Sequence, residues 1–286
     1  MSQNTCNELP LTKKKLDSHK IERSTRDAGS CRLLHDIHEF KMSWNGVPVA
    51  KATAGRTMAT SVFPRLLFRY VFCLVHLIGI SYHCIEMDLD AYRVFGGRFK
   101  FLTFLNMILQ WIYFTSAAVT DFHTLVKKRK SEVMAYLCDI LFATWVFPVG
   151  LAVSLLFWAL YLMDPYSCQN EREANLIPTW LNQYMHTLPG IAVLLEVLLF
   201  KHEYPSKSTG IRGVLGFGIM YTIWIFLIAY YAEFWVYPFL EKMSLPWIVC
   251  FFGCAFVLLV LLYLLGDWLA QEKQPAAFQH NLKKEN

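Results

Sequence analysis

The sequence predicts an all-α fold, a multi-pass transmembrane helical bundle of six spans with both termini in the cytoplasm. Three observations predict it. The chain is 55% hydrophobic and only 17% charged, outside the range of an ordinary soluble domain. Its apolar residues gather into six stretches, each near the ~20 residues that a helix needs to cross ~30 Å of hydrocarbon. The stretches are continuous instead of alternating, which selects helices over a barrel.

Taken in order, the spans are expected at residues 64–84, 101–119, 136–163, 180–200, 213–234 and 246–268. The third is overlong and holds Pro148, so a tilt or a kink is expected there. Three regions follow. Residues 1–60 form a polar, basic tail with Lys13, Lys14 and Lys15 in a row, expected to be disordered and to hold no secretory-type apolar core. Residues 61–270 form the six-helix region, and residues 271–286 a short C-terminal tail with Lys283 and Lys284.

Orientation follows from the connecting segments, because Lys and Arg near span ends stay on the cytoplasmic side. Lys127, Lys128, Arg129 and Lys130 follow the second span, and Lys201, Lys207 and Arg212 follow the fourth. The intervening loop from 164 to 179 has Arg172 alone, and the turn from 236 to 245 has Lys242 alone. Six crossings satisfy this alternation. The first outer loop runs against it, with Arg93, Arg98 and Lys100 offset by Glu86, Asp88 and Asp90.

Eight cysteines are scattered without CxxC pairs, and most lie in or beside spans, where a thiol behaves as a small apolar group. Cys84 and Cys168 both fall on the outer side, which allows a disulfide between them. Cys31, His35 and His38 have zinc-ligand residue types but fall one ligand short of a tetrahedral set. No metal, cofactor or nucleic-acid partner is expected; the expected partners are the bilayer and a lipid.

Polar side chains inside spans are costly and normally face the bundle interior. Thr103, Asn106 and Gln110 fall at i, i+3 and i+7, one face of the second helix. The fourth span opens with Trp180, Leu181, Asn182, Gln183, Tyr184, Met185 and His186. At ~1.5 Å per residue, Thr103 lies about one turn below the outer boundary and His186 nearly two. A hydroxyl and an imidazole at comparable depth are the minimum parts for acyl transfer. Both also have ordinary packing uses, Thr bonding its i−4 carbonyl and His a neighbouring helix. Neither G-x-S-x-G nor H-E-x-x-H is present.

Several stretches carry a resemblance: Gly96-Gly97-Arg98-Phe99-Lys100-Phe101-Leu102-Thr103-Phe104, Phe147-Pro148-Val149-Gly150, Ile177-Pro178-Thr179-Trp180-Leu181-Asn182, Met185-His186-Thr187, Tyr204-Pro205-Ser206 and Trp235-Val236-Tyr237-Pro238-Phe239-Leu240. In this order, from about Tyr70 to Trp268, the chain resembles the androgen-induced gene 1 family, which includes the androgen-dependent regulator of tissue factor pathway inhibitor. The resemblance implies a multi-pass hydrolase of fatty acid esters of hydroxy fatty acids, with Thr103 as nucleophile and His186 as general base. It also marks a departure, since relatives tend to have His where this chain has Gln183.

Asn106, Asn182 and Gln183 carry amides that can serve the oxyanion or the substrate, or bond between helices. Asp139 and Glu196 lie too deep for the site, Glu196 roughly 15 Å along its helix from His186. They are expected to pair with Lys127, Lys128, Arg129, Lys130, Lys201 or each other. Glu233, near the outer end of the fifth span, is a candidate to orient His186. Trp235 and Tyr237 read as interfacial anchors. The alternative function is a non-catalytic lipid-binding or transport protein whose polar face lines a pocket. The expected location is the plasma membrane or the endoplasmic reticulum.

Overall fold

The computed structural model describes residues 58–128 and 131–272. The basic N-terminal tail, the Cys31, His35 and His38 series, Arg129, Lys130 and the end of the C-terminal tail lie outside the described residues. Among the described residues every regular element is a helix. Helix α1 (Met58–Ile85) runs antiparallel to α2 (Leu102–Lys127), with Arg65 reaching Asp121 at one end and His83 facing Phe104 at the other. Two 3-10 turns, Asp90–Arg93 and Gly97–Lys100, connect them.

The third apolar stretch is a 32-residue rod, Glu132–Met163, made of α3 (Glu132–Leu141), a π turn at Phe142–Val146 and α4 (Phe147–Met163). The bend expected at Pro148 takes the form of this π turn. Proline lacks an N–H and its ring collides with the carbonyl four residues back, which here is that of Thr144. Widening the preceding turn makes room, and the Phe147 N–H reaches back five residues to the carbonyl of Phe142.

A short helix α5 (Glu171–Leu176) follows, capped by the Asn170 side chain, which accepts from the Glu173 N–H at 2.9 Å. The fourth apolar stretch is two helices, α6 (Thr179–His186) and α7 (Leu188–Leu199), broken at Thr187. Pro189 in the first turn of α7 removes the bond that its N–H would give to the Met185 carbonyl. Helix α8 (Lys207–Ala232), the turn α9 (Pro238–Glu241) and α10 (Leu245–Glu272) complete the chain.

Among the described residues, five segments are long and apolar enough to cross a membrane: Val62–Ile85, Leu102–Lys127, Glu132–Met163, Lys207–Ala232 and Leu245–Glu272. Six single-helix spans were expected, and the fourth stretch departs because of its break. The α3–α4 rod is the hub: 67% of its most apolar window is buried, against 17% for α1. It packs on α2, α7 and α10 around Tyr113, Phe114, Phe142, Phe147 and Val193, all fully buried. Helix α1 instead exposes Phe63, Leu67, Tyr70, Leu74 and Ile78, a stripe at helical spacing suited to lipid.

Close packing between α1 and α6 depends on Gly79, where a Cβ would fall 2.2 Å from the Tyr184 ring. That ring cannot swing away freely, because its hydroxyl meets the His76 imidazole at 3.2 Å and the His76 carbonyl at 3.3 Å. Gly79→Ala is therefore expected to destabilise the protein by about 1–3 kcal/mol, the usual cost of overpacking. Gly216→Ala, with open space around it, is expected to leave thermal unfolding in detergent unchanged or slightly raised.

Candidate active site

Thr103 is the second residue of α2, and its position is fixed by how that helix starts. The chain turns at Gly96, whose φ of 83° favours glycine. Phe101 is extended, so the helix begins at Leu102. The Leu102 N–H points at two phenol oxygens, Tyr221 at 3.0 Å and Tyr237 at 3.1 Å. Tyr221 in turn donates to the Lys100 carbonyl at 3.0 Å, and the Trp224 indole donates to the Phe99 carbonyl at 3.1 Å. Helix α8 thus pins the first turn of α2. Among the described residues, no partner takes the backbone N–H groups of Thr103 and Phe104, the orphan donors of a helix start. They stand at the positive end of a 26-residue helix.

His186 is the last residue of α6, at the break. Its Nε2 lies 3.4 Å from the Thr103 hydroxyl. Its Nδ1 lies 3.1 Å from the Asn182 carbonyl and 2.8 Å from the Asn182 side-chain oxygen. A backbone carbonyl only accepts, so Nδ1 carries the proton and Nε2 presents a lone pair to Thr103. The ring is 6% exposed and lies flat on Phe157, with centroids 3.4 Å apart and planes 6° apart. Hydrogen bond and stack together fix the imidazole.

Sequence depth placed Thr103 and His186 at comparable levels, and the structure brings them into contact. The other candidates take different places. Asn182 orients His186 from the preceding turn. Gln183 is exposed and accepts from the Thr187 hydroxyl at 2.6 Å, away from Thr103. Asn106 is fully buried and meets Gln110 at 3.4 Å, while Gln110 donates to the Pro189 carbonyl at 3.3 Å, tying α2 to the start of α7. Glu233 is exposed at the end of α8, and the orienting role proposed for it belongs to Asn182. Cys84 and Cys168 are free thiols; burial pushes the Cys168 thiol up to about 12, which leaves it a neutral part of the wall.

A cavity of about 160 Å³ opens on the pair. Its outer part is lined by His83, Tyr92, Phe104, Ile177 and Met185, and its inner part by Val149, Ala152, Phe217, Gly218, Phe256 and Leu259. Sequence reasoning missed Phe157, Tyr221 and the His83–Tyr92 pair, which are 2.9 Å apart. Tyr237, read as an interfacial anchor, turns its hydroxyl inward instead. The signal for these residues lies in pairings across helices far apart in sequence, which no local pattern carries.

Lys100, three residues before Thr103, is fully buried. Its ammonium donates to the Ala91 carbonyl at 2.5 Å and lies over the rings of Phe234 and Phe101, at 4.8 and 5.4 Å. Burial pushes its pKa down to about 8, whereas an unfolded lysine titrates near 10.4. Between these values the unfolded chain binds the extra proton, so the Lys100 contribution to stability rises with pH across that window. Lys100→Met is expected to remove that part of the rise, read as detergent unfolding temperature against pH.

The deep acidic residues form a separate cluster. Arg69 binds Asp121 at 2.8 Å and Glu196 at 2.5 Å, Arg65 binds Asp121 at 2.6 Å, and Tyr113 donates to Glu196 at 2.7 Å. His202, stacked on Phe142, bonds Asp139 at 2.9 Å and contacts Glu196 at 3.3 Å. Burial disfavours a charged His202, but Asp139 and Glu196 outweigh it and raise its pKa. Among the described residues the ion-pair partners of Asp139 and Glu196 are Arg69 and His202, and not Lys127, Lys128 or Lys201.

A chain that is helical throughout its described residues, with several helices long and apolar enough to cross a bilayer, is an integral multi-pass membrane protein. It belongs to the FAR-17a/AIG1-like protein family, which matches residues 65–271. The chain is similar to human androgen-induced gene 1 protein, 34% identical over 197 residues, covering 66% of this chain and 82% of that protein. It is similar to human androgen-dependent TFPI-regulating protein, 35% identical over 175 residues, 61% of this chain and 76% of that one. Its mouse counterpart is 34% identical over 212 residues, 72% of this chain and 92% of that one. No solved structure matches.

Proposed function

We propose that this protein is a membrane-embedded hydrolase of fatty acid esters of hydroxy fatty acids, with Thr103 as nucleophile and His186 as its base. The observation that carries the reading is the 3.4 Å approach of the Thr103 hydroxyl to His186 Nε2, with Nδ1 already committed to Asn182. As Thr103 Oγ attacks the ester carbonyl carbon, its proton passes to Nε2. The carbonyl oxygen becomes an oxyanion beside the free N–H groups of Thr103 and Phe104, and a well-placed donor of this kind contributes about 3–4 kcal/mol. Collapse breaks the bond to the hydroxy acid's oxygen, which takes the proton back from Nε2. That leaves an acyl ester on Thr103. Water then attacks this ester, gives its proton to Nε2 and frees the fatty acid and the Thr103 hydroxyl.

The location suits the substrate. Each buried methylene favours the bilayer by ~0.8 kcal/mol, so a two-chain ester arrives through lipid. In the proposed topology the chain crosses six times with both termini cytoplasmic, the α6–α7 pair making the fourth crossing; its 21 residues at ~1.5 Å each reach about 30 Å. The test is hydrolysis of a hydroxy-fatty-acid ester by detergent-purified protein, together with labelling by a fluorophosphonate. Turnover and labelling that both depend on Thr103 are expected. Fatty-acid binding without any turnover would sink the enzyme reading in favour of a lipid-binding protein.

A further inference from the structure

The cavity does not end at the catalytic pair. Phe157 carries the His186 ring, and Val149, eight positions earlier on the same helix, also lines the cavity. At ~1.5 Å per residue the space therefore reaches about 12 Å below the pair. Its lower wall is Val149, Ala152, Phe217, Gly218, Phe256 and Leu259, without a charged group. Thr222 also lines the cavity, and its hydroxyl is already bonded to the Gly218 carbonyl at 2.9 Å.

Gly218 lies at the lower end. Helix α8 passes the π turn where Trp145 donates to the Gly213 carbonyl at 3.1 Å, and five residues on, Gly218 comes level with the Val149 region. A Cβ at Gly218 would come within 3.0 Å of Phe256 and 3.1 Å of Leu259. Gly218 therefore packs directly on Phe256 and Leu259, and any side chain placed on it must displace these two residues, both of which line the lower cavity.

Resting on the hydrolase reading, we infer that this lower cavity is a measuring tunnel for one acyl chain, with Gly218 and Phe256 setting its floor. It also fixes which arm of the ester enters. An ester of a hydroxy fatty acid has one arm that is alkyl to its end and another that ends in a carboxylate. A floor without a polar partner rejects the carboxylate. The transferred acyl arm therefore lies in the tunnel, stays there as the acyl ester of Thr103, and leaves after the hydroxy acid.

The test is an ester series in which only the acyl arm varies, from butanoyl to octadecanoyl, with wild type, Gly218→Leu and Phe256→Ala. Wild type is expected to show a cut-off length. Gly218→Leu should move it to shorter chains, the long-to-short ratio of kcat/KM falling about fourfold per excluded methylene, and Phe256→Ala should move it to longer ones. Unchanged length profiles in both variants, with ester turnover intact, would overturn the tunnel and leave the hydrolase reading standing. Should wild type hydrolyse no ester, the hydrolase reading fails, and displacement of bound parinaric acid by fatty acids of the same lengths decides the tunnel by itself. A cut-off shifted by Gly218→Leu upholds it, and the absence of any cut-off overturns it.

Discussion

Thr103→Ala removes ester turnover, by on the order of 10³-fold or more, and abolishes fluorophosphonate labelling while the protein stays folded. The nucleophile and its base act as a unit, so His186→Ala is expected to lose turnover to a comparable extent. Thr103 is partly buried at a helix start, and among the described residues its side chain makes one hydrogen bond, to His186. Its removal leaves the packing of α2 in place. Unfolding temperatures of wild type and Thr103→Ala in detergent should agree, and Thr103→Ser should recover turnover. Full activity in Thr103→Ala would remove this residue from the mechanism whatever His186 does.

Arg69→Met is the substitution expected to destabilise the protein most. Glu196 is fully buried, and Asp121 is 2% exposed. Removing the guanidinium leaves both carboxylates short of a cation, and breaking a buried pair from one side costs about 3–5 kcal/mol. Replacing both partners is far less harmful, because the charge left behind is what costs. Arg69→Met with Glu196→Leu should therefore recover much of the loss. The measurement is thermal unfolding of the two single variants and the double. A single Arg69→Met variant as stable as wild type would show that the cluster carries no net stability.

The segments that cross the membrane were legible, because continuous apolar length is a direct consequence of bilayer thickness. That Thr103 and His186 stand level with each other was legible too, since it requires only a rise per residue and a common boundary. Their contact was not, since nothing local says that α2 and α6 are neighbours. The break at Thr187 had a visible cause in Pro189, and the apolar run on both sides hid it. Glu196 was matched to the lysines of the basic loops because loop charges are conspicuous. The informative signal was Arg65 and Arg69, four residues apart on one face inside an otherwise apolar span, where a charge needs a partner on another helix. Tyr221 and Tyr237 escaped for another reason: aromatic residues near span ends are commonplace, and only geometry distinguishes an anchor from a hydroxyl turned inward.

The Arg69 cluster also bears on biogenesis. Helix α1 emerges from the ribosome before either of the carboxylates that neutralise its arginines. Asp121 comes about 50 residues later and Glu196 about 130 later, at separations of 52 and 127. Until then α1 is a poor passenger in lipid, since arginine at mid-membrane costs about 2.5–3.5 kcal/mol. The charge of Arg69 is therefore met in two stages, first when α2 brings Asp121 and then when α7 brings Glu196.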